Sequence, residues 1–138
     1  MLAAQANRRV TVIDDSPELL AVVGDALRFD GVDVSLFDGS DALHDIEKSA
    51  PDLLMIDLRL GTDSLSGLDV IRLVRRHRTL RDVPIIVCSA APESLREHEE
   101  ELSRVPDLHV LSKPFSLQEL ESSIYGALGD HSGPRADH

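Results

Sequence analysis

Five polar side chains stand at or directly after the ends of short apolar runs in this sequence. They are Asp14, Asp15, Asp57, Ser89 and Lys113. Carboxylates at contact distance repel one another and raise one another's pKa values, so three of them at one place require positive charge nearby. A divalent cation such as Mg²⁺ prefers oxygen ligands, and a lysine and a hydroxyl beside it suit an incoming phosphoryl group. Because a carboxylate can attack phosphorus, Asp57 is the candidate nucleophile.

The elements that would position these residues alternate along the chain. Apolar, largely β-branched runs predict five strands, at 8–14, 32–38, 52–58, 83–90 and 108–114. Apolar residues at helical spacing lie between and after them, at 19–27, 68–74 and 117–128, with weaker patterns at 40–50 and 92–105. Ser16 and Pro17 indicate the start of the first helix, Gly31 its end, and Ser116 the start of the last helix.

This alternation predicts an α/β fold of the (βα)5 type. Near-continuous apolar strands separated by helices are typical of a doubly wound parallel sheet that helices cover on both faces. Such sheets bind ligands outside the carboxyl ends of their strands, close to the point where the strand order reverses. All five polar side chains are expected at that edge.

The composition restricts the classes of function. The formal net charge of −11 argues against a nucleic-acid-binding face and against attraction to anionic membranes, and it favours a cation or a protein as the partner. Hydrophobic residues make up 42% of the chain and aromatic residues 3%, so we expect an aliphatic core with Phe29, Phe37, Phe115 and Tyr125 as its few rings. The single cysteine, Cys88, lies in an apolar run and is expected to be a core residue in a reducing compartment.

The chain is expected to form one domain, at 8–129, with short flexible tails at 1–7 and 130–138. No run approaches the roughly 18 apolar residues of a membrane span. The first residues lack the order of a signal peptide. A cytoplasmic location is therefore expected.

The order and spacing of these motifs resemble the receiver domain of two-component response regulators. The resemblance covers about residues 8–129. It rests on four motifs, each at the end of a predicted strand: Asp14-Asp15, Asp57, Ser89-Ala90 and Lys113-Pro114-Phe115. It implies a flavodoxin-like sheet with five parallel strands in the order 2-1-3-4-5.

The resemblance also implies which residues accept the phosphoryl group and bind the metal. Asp57 would take the phosphoryl group from the phosphohistidine of a sensor histidine kinase or of a histidine phosphotransfer protein. Asp15 and Asp57 would bind Mg²⁺, and Asp14 would help directly or through water. The backbone carbonyl of Arg59 would complete the protein ligands.

Two further residues would act on the phosphoryl group itself. By the same resemblance, Ser89 would donate a hydrogen bond to a phosphoryl oxygen once the aspartate is modified, and Lys113 would pair with the phosphate. The Lys113–Pro114 peptide bond would be cis. Movement of the Ser89 hydroxyl would be the switching event, because it biases a surface with two states.

The sequence departs from the family pattern at two places. The family usually has an aromatic residue at the position of Val110, and this ring moves inward on phosphorylation; valine has no ring to move. The loop after Asp57 is longer than is common, with Gly67 ten residues after the aspartate. Residues 62–64 of this loop are candidates to cover the site or to contact a partner. Arg59 is a candidate to affect the attack of water on the acyl phosphate.

Three hypotheses of function follow. The first is a stand-alone phosphoacceptor that signals by protein contact, as a monomer or weak homodimer, and catalyses only its own phosphorylation and dephosphorylation. The second is a receiver-fold interaction module that acts without phosphorylation, which Val110 motivates. The third, an aspartate-nucleophile phosphohydrolase, is improbable, because Arg59 stands where that class has a second aspartate.

Overall fold

The computed structural model describes residues 8–60, 66–90 and 92–129, and strands and helices alternate through these ranges. The strands are Arg9–Ile13 (β1), Asp33–Phe37 (β2), Leu53–Asp57 (β3), Ile85–Ser89 (β4) and Leu108–Ser112 (β5). The helices are Pro17–Phe29 (α1), Ala42–Ser49 (α2), Gly67–Arg76 (α3), Pro92–Glu97 (α4), Glu99–Ser103 (α5) and Leu117–Ala127 (α6). The predicted alternation is confirmed.

The region 92–105 differs from the prediction of a single helix. Two short helices, α4 and α5, are separated at His98. Acidic residues recur there at a spacing of four, at Glu93, Glu97 and Glu101. Like charges at this spacing weaken a continuous helix. The break is therefore consistent with the charge pattern of the segment.

The five strands form one parallel sheet in the order β2-β1-β3-β4-β5, which confirms the expected flavodoxin-like order. Strand β1 pairs with both β2 and β3, so the strand order reverses between β1 and β3. In the pairing register, Ile13 lies opposite Ile56, and Asp57 lies opposite Cys88. The carboxyl ends of β1, β3 and β4 therefore meet at one edge.

Two aliphatic clusters cover the two faces of the sheet. Strands β3 and β4 are buried along their whole length, as is typical of central parallel strands. Members of one cluster include Ile13, Ile46, Leu54, Ile56 and Ile71, and members of the other include Val12, Val23, Leu27, Met55 and Ile124. Each fully buried Leu or Ile side chain stabilises the fold by about 1.5–3 kcal/mol. Cys88 belongs to the second cluster, as expected of a core residue, and burial raises the pKa of its thiol to about 12.

The prediction that all four aromatic rings lie in the core is wrong for Phe29. Phe37, Phe115 and Tyr125 are partly buried and pack against the two clusters. Phe29, at the end of α1, is 91% exposed. It follows the buried Leu27 by two positions, which on an α-helix is a rotation of about 200°. The residue therefore faces solvent.

The predicted ends of α1 are confirmed. The Leu19 N–H donates to the Ser16 hydroxyl oxygen over 3.2 Å, and Pro17 is the first helical residue. After the helix, Gly31 has a φ of +87°, in the left-handed region that glycine adopts without strain. The helix thus begins directly after the acidic pair, which lies in the short connection between β1 and α1.

The turn between β5 and α6 also has the predicted features. The Lys113–Pro114 peptide bond is cis. Ser116 caps α6: its hydroxyl oxygen accepts from the Glu119 N–H over 3.0 Å, and the Glu119 carboxylate accepts from the Ser116 N–H over 2.8 Å. These contacts fix the segment that follows Lys113.

The predicted tails at 1–7 and 130–138, and loop residues 62–64, lie outside the described residues. The proposed domain limits at 8 and 129 therefore stay a prediction. Within the described ranges, none of the helices has the length and apolar character needed to cross a membrane.

Candidate functional site at the carboxyl edge of the sheet

The acidic pair after β1 divides into one buried and one exposed carboxylate. Asp14 is 2% exposed, and Asp15 is exposed to solvent. The Asp14 N–H donates to the Phe37 carbonyl over 3.1 Å, which continues the pairing of β1 with β2. Asp14 Oδ1 accepts from the Ser16 N–H over 2.9 Å. This hydrogen bond connects the buried carboxylate to the start of α1.

Asp57 is the last residue of β3 and is 8% exposed. Its Oδ1 atom accepts from the Arg59 N–H over 3.0 Å, and its Oδ2 atom accepts from Lys113 Nζ over 3.0 Å. Burial raises the pKa of Asp57 above its ordinary value, although these two hydrogen bonds act in the opposite direction. A carboxylate in this position is fixed in orientation and only partly solvated.

Lys113 joins the strand ends together. Its backbone N–H donates to the Ser89 carbonyl over 2.9 Å. Its Nζ atom donates to Asp14 Oδ2 over 2.7 Å and to Asp57 Oδ2 over 3.0 Å. Burial alone lowers the pKa of Lys113, but the hydrogen bonds to the two carboxylates and their negative charges together outweigh it, so the net pKa is raised. The side chain therefore carries its positive charge at neutral pH.

The charge of the site leaves a place for a divalent cation. Asp14, Asp15 and Asp57 each offer a carboxylate oxygen, and these atoms lie within 4.8 Å of one another. Three carboxylates and one ammonium leave a net charge of about −2 when all are ionised. Oxygen ligands and a deficit of two positive charges fit Mg²⁺, which binds through a few carboxylates and keeps some of its water. The residues present therefore fit the cation that the sequence predicts.

Ser89 and Arg59 lie next to this cluster. Ser89 is the last residue of β4 and is buried; it follows Cys88, which lies opposite Asp57 in the pairing register. Arg59 contacts Asp57 through its backbone N–H. The predicted roles of the Ser89 hydroxyl and of the Arg59 carbonyl stay predictions. We call Asp14, Asp15, Asp57, Ser89 and Lys113 the rim residues.

One contact of the rim was not anticipated from the sequence. Lys113 is expected to pair with phosphate, and Asp14 to be left for the metal; in the structure, these two side chains form an ion pair. The charges of the rim residues indicate that Lys113 pairs with a carboxylate, but they do not indicate which of the three. The pair supplies countercharge to the buried Asp14.

A cavity beside the rim was also not anticipated. It measures about 610 Å³, and its lining includes Lys113, Leu19, Val22, Pro114 and Phe115. It lies between the start of α1 and the turn after β5, so an apolar surface borders the charged cluster. No spacing in the sequence indicates it, because its walls come from segments that are distant along the chain.

Comparisons with known proteins agree with this geometry. The family model of the response regulator receiver domain matches residues 10–125 of this chain. Transcriptional regulatory protein TrcR of Mycobacterium tuberculosis is 33% identical over 121 residues, which are 87% of this chain and 45% of TrcR. DNA-binding response regulator MtrA of Mycolicibacterium smegmatis is 32% identical over 123 residues, 88% of this chain and 51% of MtrA. The chain thus spans about half the length of these curated relatives.

Solved structures show the same fold. The receiver domain of sensor histidine kinase PA1611 from Pseudomonas aeruginosa, with a magnesium ion coordinated in its active site cleft, has a TM-score of 0.76 at 28% identity. That comparison covers 91% of this chain and all of the other. Chemotaxis response regulator CheY4 of Vibrio cholerae, at 23% identity and a TM-score of 0.77, covers 88% of this chain and 99% of its own. By sequence match, sheet order and acidic cluster, this chain belongs to the response regulator receiver domain family of two-component signalling.

Proposed function

We propose that the protein accepts a phosphoryl group on Asp57 from a phosphohistidine, in a reaction that depends on Mg²⁺. The observation that carries this proposal is the placement of Asp57. Its carboxylate is buried, held by the Arg59 N–H and Lys113, and lies within a cluster of three carboxylates that fits a divalent cation. A phosphoryl group needs both a nucleophile and compensation for its charge, and the rim provides the two together.

The transfer exchanges one bond to phosphorus for another. An oxygen of Asp57 attacks the phosphorus, the phosphorus–nitrogen bond of the phosphohistidine breaks, and the bonding electron pair returns to the donor imidazole. Lys113 pairs with the phosphoryl oxygens and gives up part of its present interaction with Asp57. The Ser89 hydroxyl donates a hydrogen bond to another phosphoryl oxygen.

The remaining rim residues hold the cation. Asp15, Asp14 and Asp57, with the backbone carbonyl of Arg59, would be its protein ligands. When bound, Mg²⁺ neutralises the charge that develops on the transferring group. Asp14 stays connected to Lys113 and to the Ser16 N–H, so it also holds the lysine over the site.

The partners follow from this chemistry and from the charge of the chain. The donor is a sensor histidine kinase or a histidine phosphotransfer protein. The output is contact with another protein, because a net charge of −11 does not favour nucleic acid. The protein acts in the cytoplasm and has no substrate other than its own aspartate. The curated relatives are named as transcriptional or DNA-binding regulators, so a further segment for output is compatible with the proposal.

Intact mass spectrometry tests the phosphoacceptor directly. The protein is incubated with acetyl phosphate and Mg²⁺, and the expected result is the addition of one phosphoryl group that hydroxylamine removes, as it does from an acyl phosphate. Asp57→Asn should stay unmodified. Asp38→Asn is the matched control, because Asp38 is an exposed carboxylate directly after β2 at the same edge of the sheet. An unmodified wild type, or equal labelling of Asp57→Asn, would overturn the proposal.

A second candidate function is an interaction module that acts without phosphorylation. It is favoured by Val110, which is 50% exposed on β5. Mass spectrometry separates the two candidates at their first step, since a module of this kind need not be labelled at Asp57.

A further inference from the structure

A basic stretch lies at the edge of the sheet opposite the rim. The segment 72–82 contains five arginines and one carboxylate, Asp82, in a chain whose formal net charge is −11. It comprises the end of α3, whose last residue is Arg76, and the turn that leads to β4. Strand β4 ends at Ser89, and its five residues span about 17 Å. The stretch is therefore well separated from the rim.

Two of the five arginines are used within the fold. Arg72 pairs with Glu101 at 2.6 Å. Arg75 donates to the Val83 carbonyl over 2.8 Å and to the Pro106 carbonyl over 2.6 Å. These contacts join α3 to the segments before β4 and β5. The two side chains thus stabilise the fold and are not available to another molecule.

The other three arginines are exposed, and the described part of the chain offers them no ion-pair partner; they are Arg76, Arg78 and Arg81. We call these three residues the basic edge. Of the neighbouring carboxylates, Glu47 contacts His77 at 2.6 Å, and Asp82 stands alone after the edge. Arginine is always charged at neutral pH, so positive charge stays in excess here.

The turn that carries Arg78 and Arg81 is fixed by the fold. Leu80, which lies between them, is 3% exposed and belongs to the core. The Arg81 N–H donates to the His77 carbonyl over 3.0 Å, and the Thr79 N–H donates to His77 Nδ1 over 3.2 Å. The backbone of the basic edge is therefore in place before a ligand binds, which lowers the entropic cost of binding.

We propose that the basic edge is a docking site for a short acidic segment of a partner protein. The planar guanidinium group of arginine can donate two parallel hydrogen bonds to a carboxylate, so each arginine can pair with one Asp or Glu side chain of the partner. The chain carries excess negative charge elsewhere, so the complementary surface is local and fits a segment of few residues. The site goes beyond the proposed phosphoacceptor function and does not involve Asp57.

The basic edge fits nucleic acid less well than it fits a short peptide. A row of phosphates longer than the edge would extend over the rest of a chain whose net charge is −11. Residues 72–82 also include no aromatic side chain on which an unpaired base could stack. A short acidic peptide meets neither difficulty, because its carboxylates are confined to the edge.

A titration of the full chain with a synthetic glutamate-rich peptide tests the site. The control ligand is the same peptide with every glutamate replaced by glutamine. The expected result in amide NMR is saturable shift changes centred on residues 76–82 with the acidic peptide alone. Raising the ionic strength from about 0.01 to about 0.15 M shortens the Debye length from about 30 to about 8 Å, so it should weaken binding several-fold.

Variants of the protein locate the binding. Arg78→Gln should weaken the peptide about two- to fivefold, as expected for the loss of one exposed ion pair. Replacing all three residues of the basic edge by glutamine should weaken it about tenfold or more. A matched control changes the net charge equally by replacing three exposed arginines elsewhere: Arg28→Gln, Arg96→Gln and Arg104→Gln. This control should bind the peptide nearly as the wild type does.

Asp57→Asn should also bind the peptide as the wild type does, so this result stands even if the phosphoacceptor proposal fails. Equal loss of binding in the two triple variants would overturn the inference, because general charge attraction would then explain it. The absence of saturable binding, equal binding of the glutamine peptide, or shift changes centred outside 76–82 would overturn it too. So would tighter binding of a short DNA oligonucleotide than of the acidic peptide. Thermal unfolding checks that each variant is folded before binding is compared.

Discussion

Strand β5 contributes to two regions with opposite physical character. Lys113, directly after the strand, donates hydrogen bonds to Asp14, Asp57 and the Ser89 carbonyl. Val110, in the middle of the strand, is half exposed and lines an open apolar cavity. The segment 110–113 thus joins a half-exposed apolar surface to a cluster of charged side chains that are connected by hydrogen bonds.

The difference shows that the reactive cluster and the open surface of β5 are defined by different kinds of contact. At the rim, several short contacts in a buried place define each position, so a small displacement changes the charge balance and the geometry together. On the outer side of β5, a side chain such as Val110 is half exposed, so it can change without moving the sheet. Substitutions at the rim should therefore alter both stability and chemistry, whereas a substitution of the exposed Val110 should change the stability little.

The largest expected effect is that of Gly67→Ala, next to the rim. A Cβ atom at Gly67 would lie 2.1 Å from the Asp57 carbonyl oxygen and 2.8 Å from Leu58 Cα. Both are backbone atoms, so no change of rotamer relieves the overlap, and the end of β3 must shift. We expect a loss of about 3 kcal/mol or more in the free energy of unfolding, measured with urea.

Gly126→Ala is the control for this substitution. Gly126 is an exposed residue of α6, and nothing lies within 4 Å of its added Cβ atom. Alanine there should be neutral or stabilise by up to about 1 kcal/mol. Equal stability of the two variants would mean that α3 does not pack as closely against the end of β3 as the surroundings of Gly67 indicate.

The next effect compares two neighbours on β5. Leu111 is buried against the cluster that contains Val12, while Val110 is half exposed. Leu111→Ala should cost about 2 kcal/mol, the lower end of the range for such changes, because β5 is an edge strand. Val110→Ala should change stability by less than about 0.5 kcal/mol. Equal losses for the two variants in urea unfolding would contradict the division between core and surface on this strand.

Binding of Mg²⁺ should stabilise the protein through the rim. At a Mg²⁺ concentration about tenfold above Kd, the free energy of unfolding should rise by about 1.4 kcal/mol. Asp15→Ala should lose this rise, because Asp15 is one of the three clustered carboxylates. Asp15 is exposed, so the variant should fold. Thermal unfolding with and without Mg²⁺ measures the effect.

The control is Asp25→Ala, which removes an exposed carboxylate from the middle of α1. It should keep the full response to Mg²⁺. A response of wild-type size in Asp15→Ala would remove that residue from the metal site, and loss of the response in both variants would mean that the effect comes from general charge screening.

The sequence was sufficient to predict the strands, the helices other than the break at His98, and the residues that meet at the edge of the sheet. Asp14 follows β1, and Asp57 and Ser89 are the last residues of β3 and β4. The apolar runs of these strands are unambiguous, and parallel strands bring their carboxyl ends together. The ion pair of Lys113 with Asp14 was not predicted, because which partner a lysine selects depends on distances that spacing along the chain does not contain. The exposure of Phe29 was missed because composition alone assigned it to the core.

The smallest expected effect concerns an ion pair between α3 and α5, the helix that contributes Leu102 to the core cluster. Arg72 donates to Glu101 through Nε over 2.6 Å and through Nη2 over 2.7 Å. The hydrogen bond from Arg72 lowers the pKa of Glu101 below its ordinary value of 4.5. The pair therefore contributes stability above pH 4.5, and this contribution is lost as the pH falls through the lowered value.

A double-mutant cycle with Arg72→Gln and Glu101→Gln measures this coupling at neutral pH and again in acid. The matched pair is Arg104 with Glu100, four residues apart and joined by a single contact of 2.8 Å between more exposed side chains. The bidentate pair should show the larger coupling, and both should weaken in high salt, because each is exposed and screened. Equal coupling in the two cycles would mean that Arg72 does not hold α5 against α3. The position of α5 would then depend on the packing of Leu102 in the core alone.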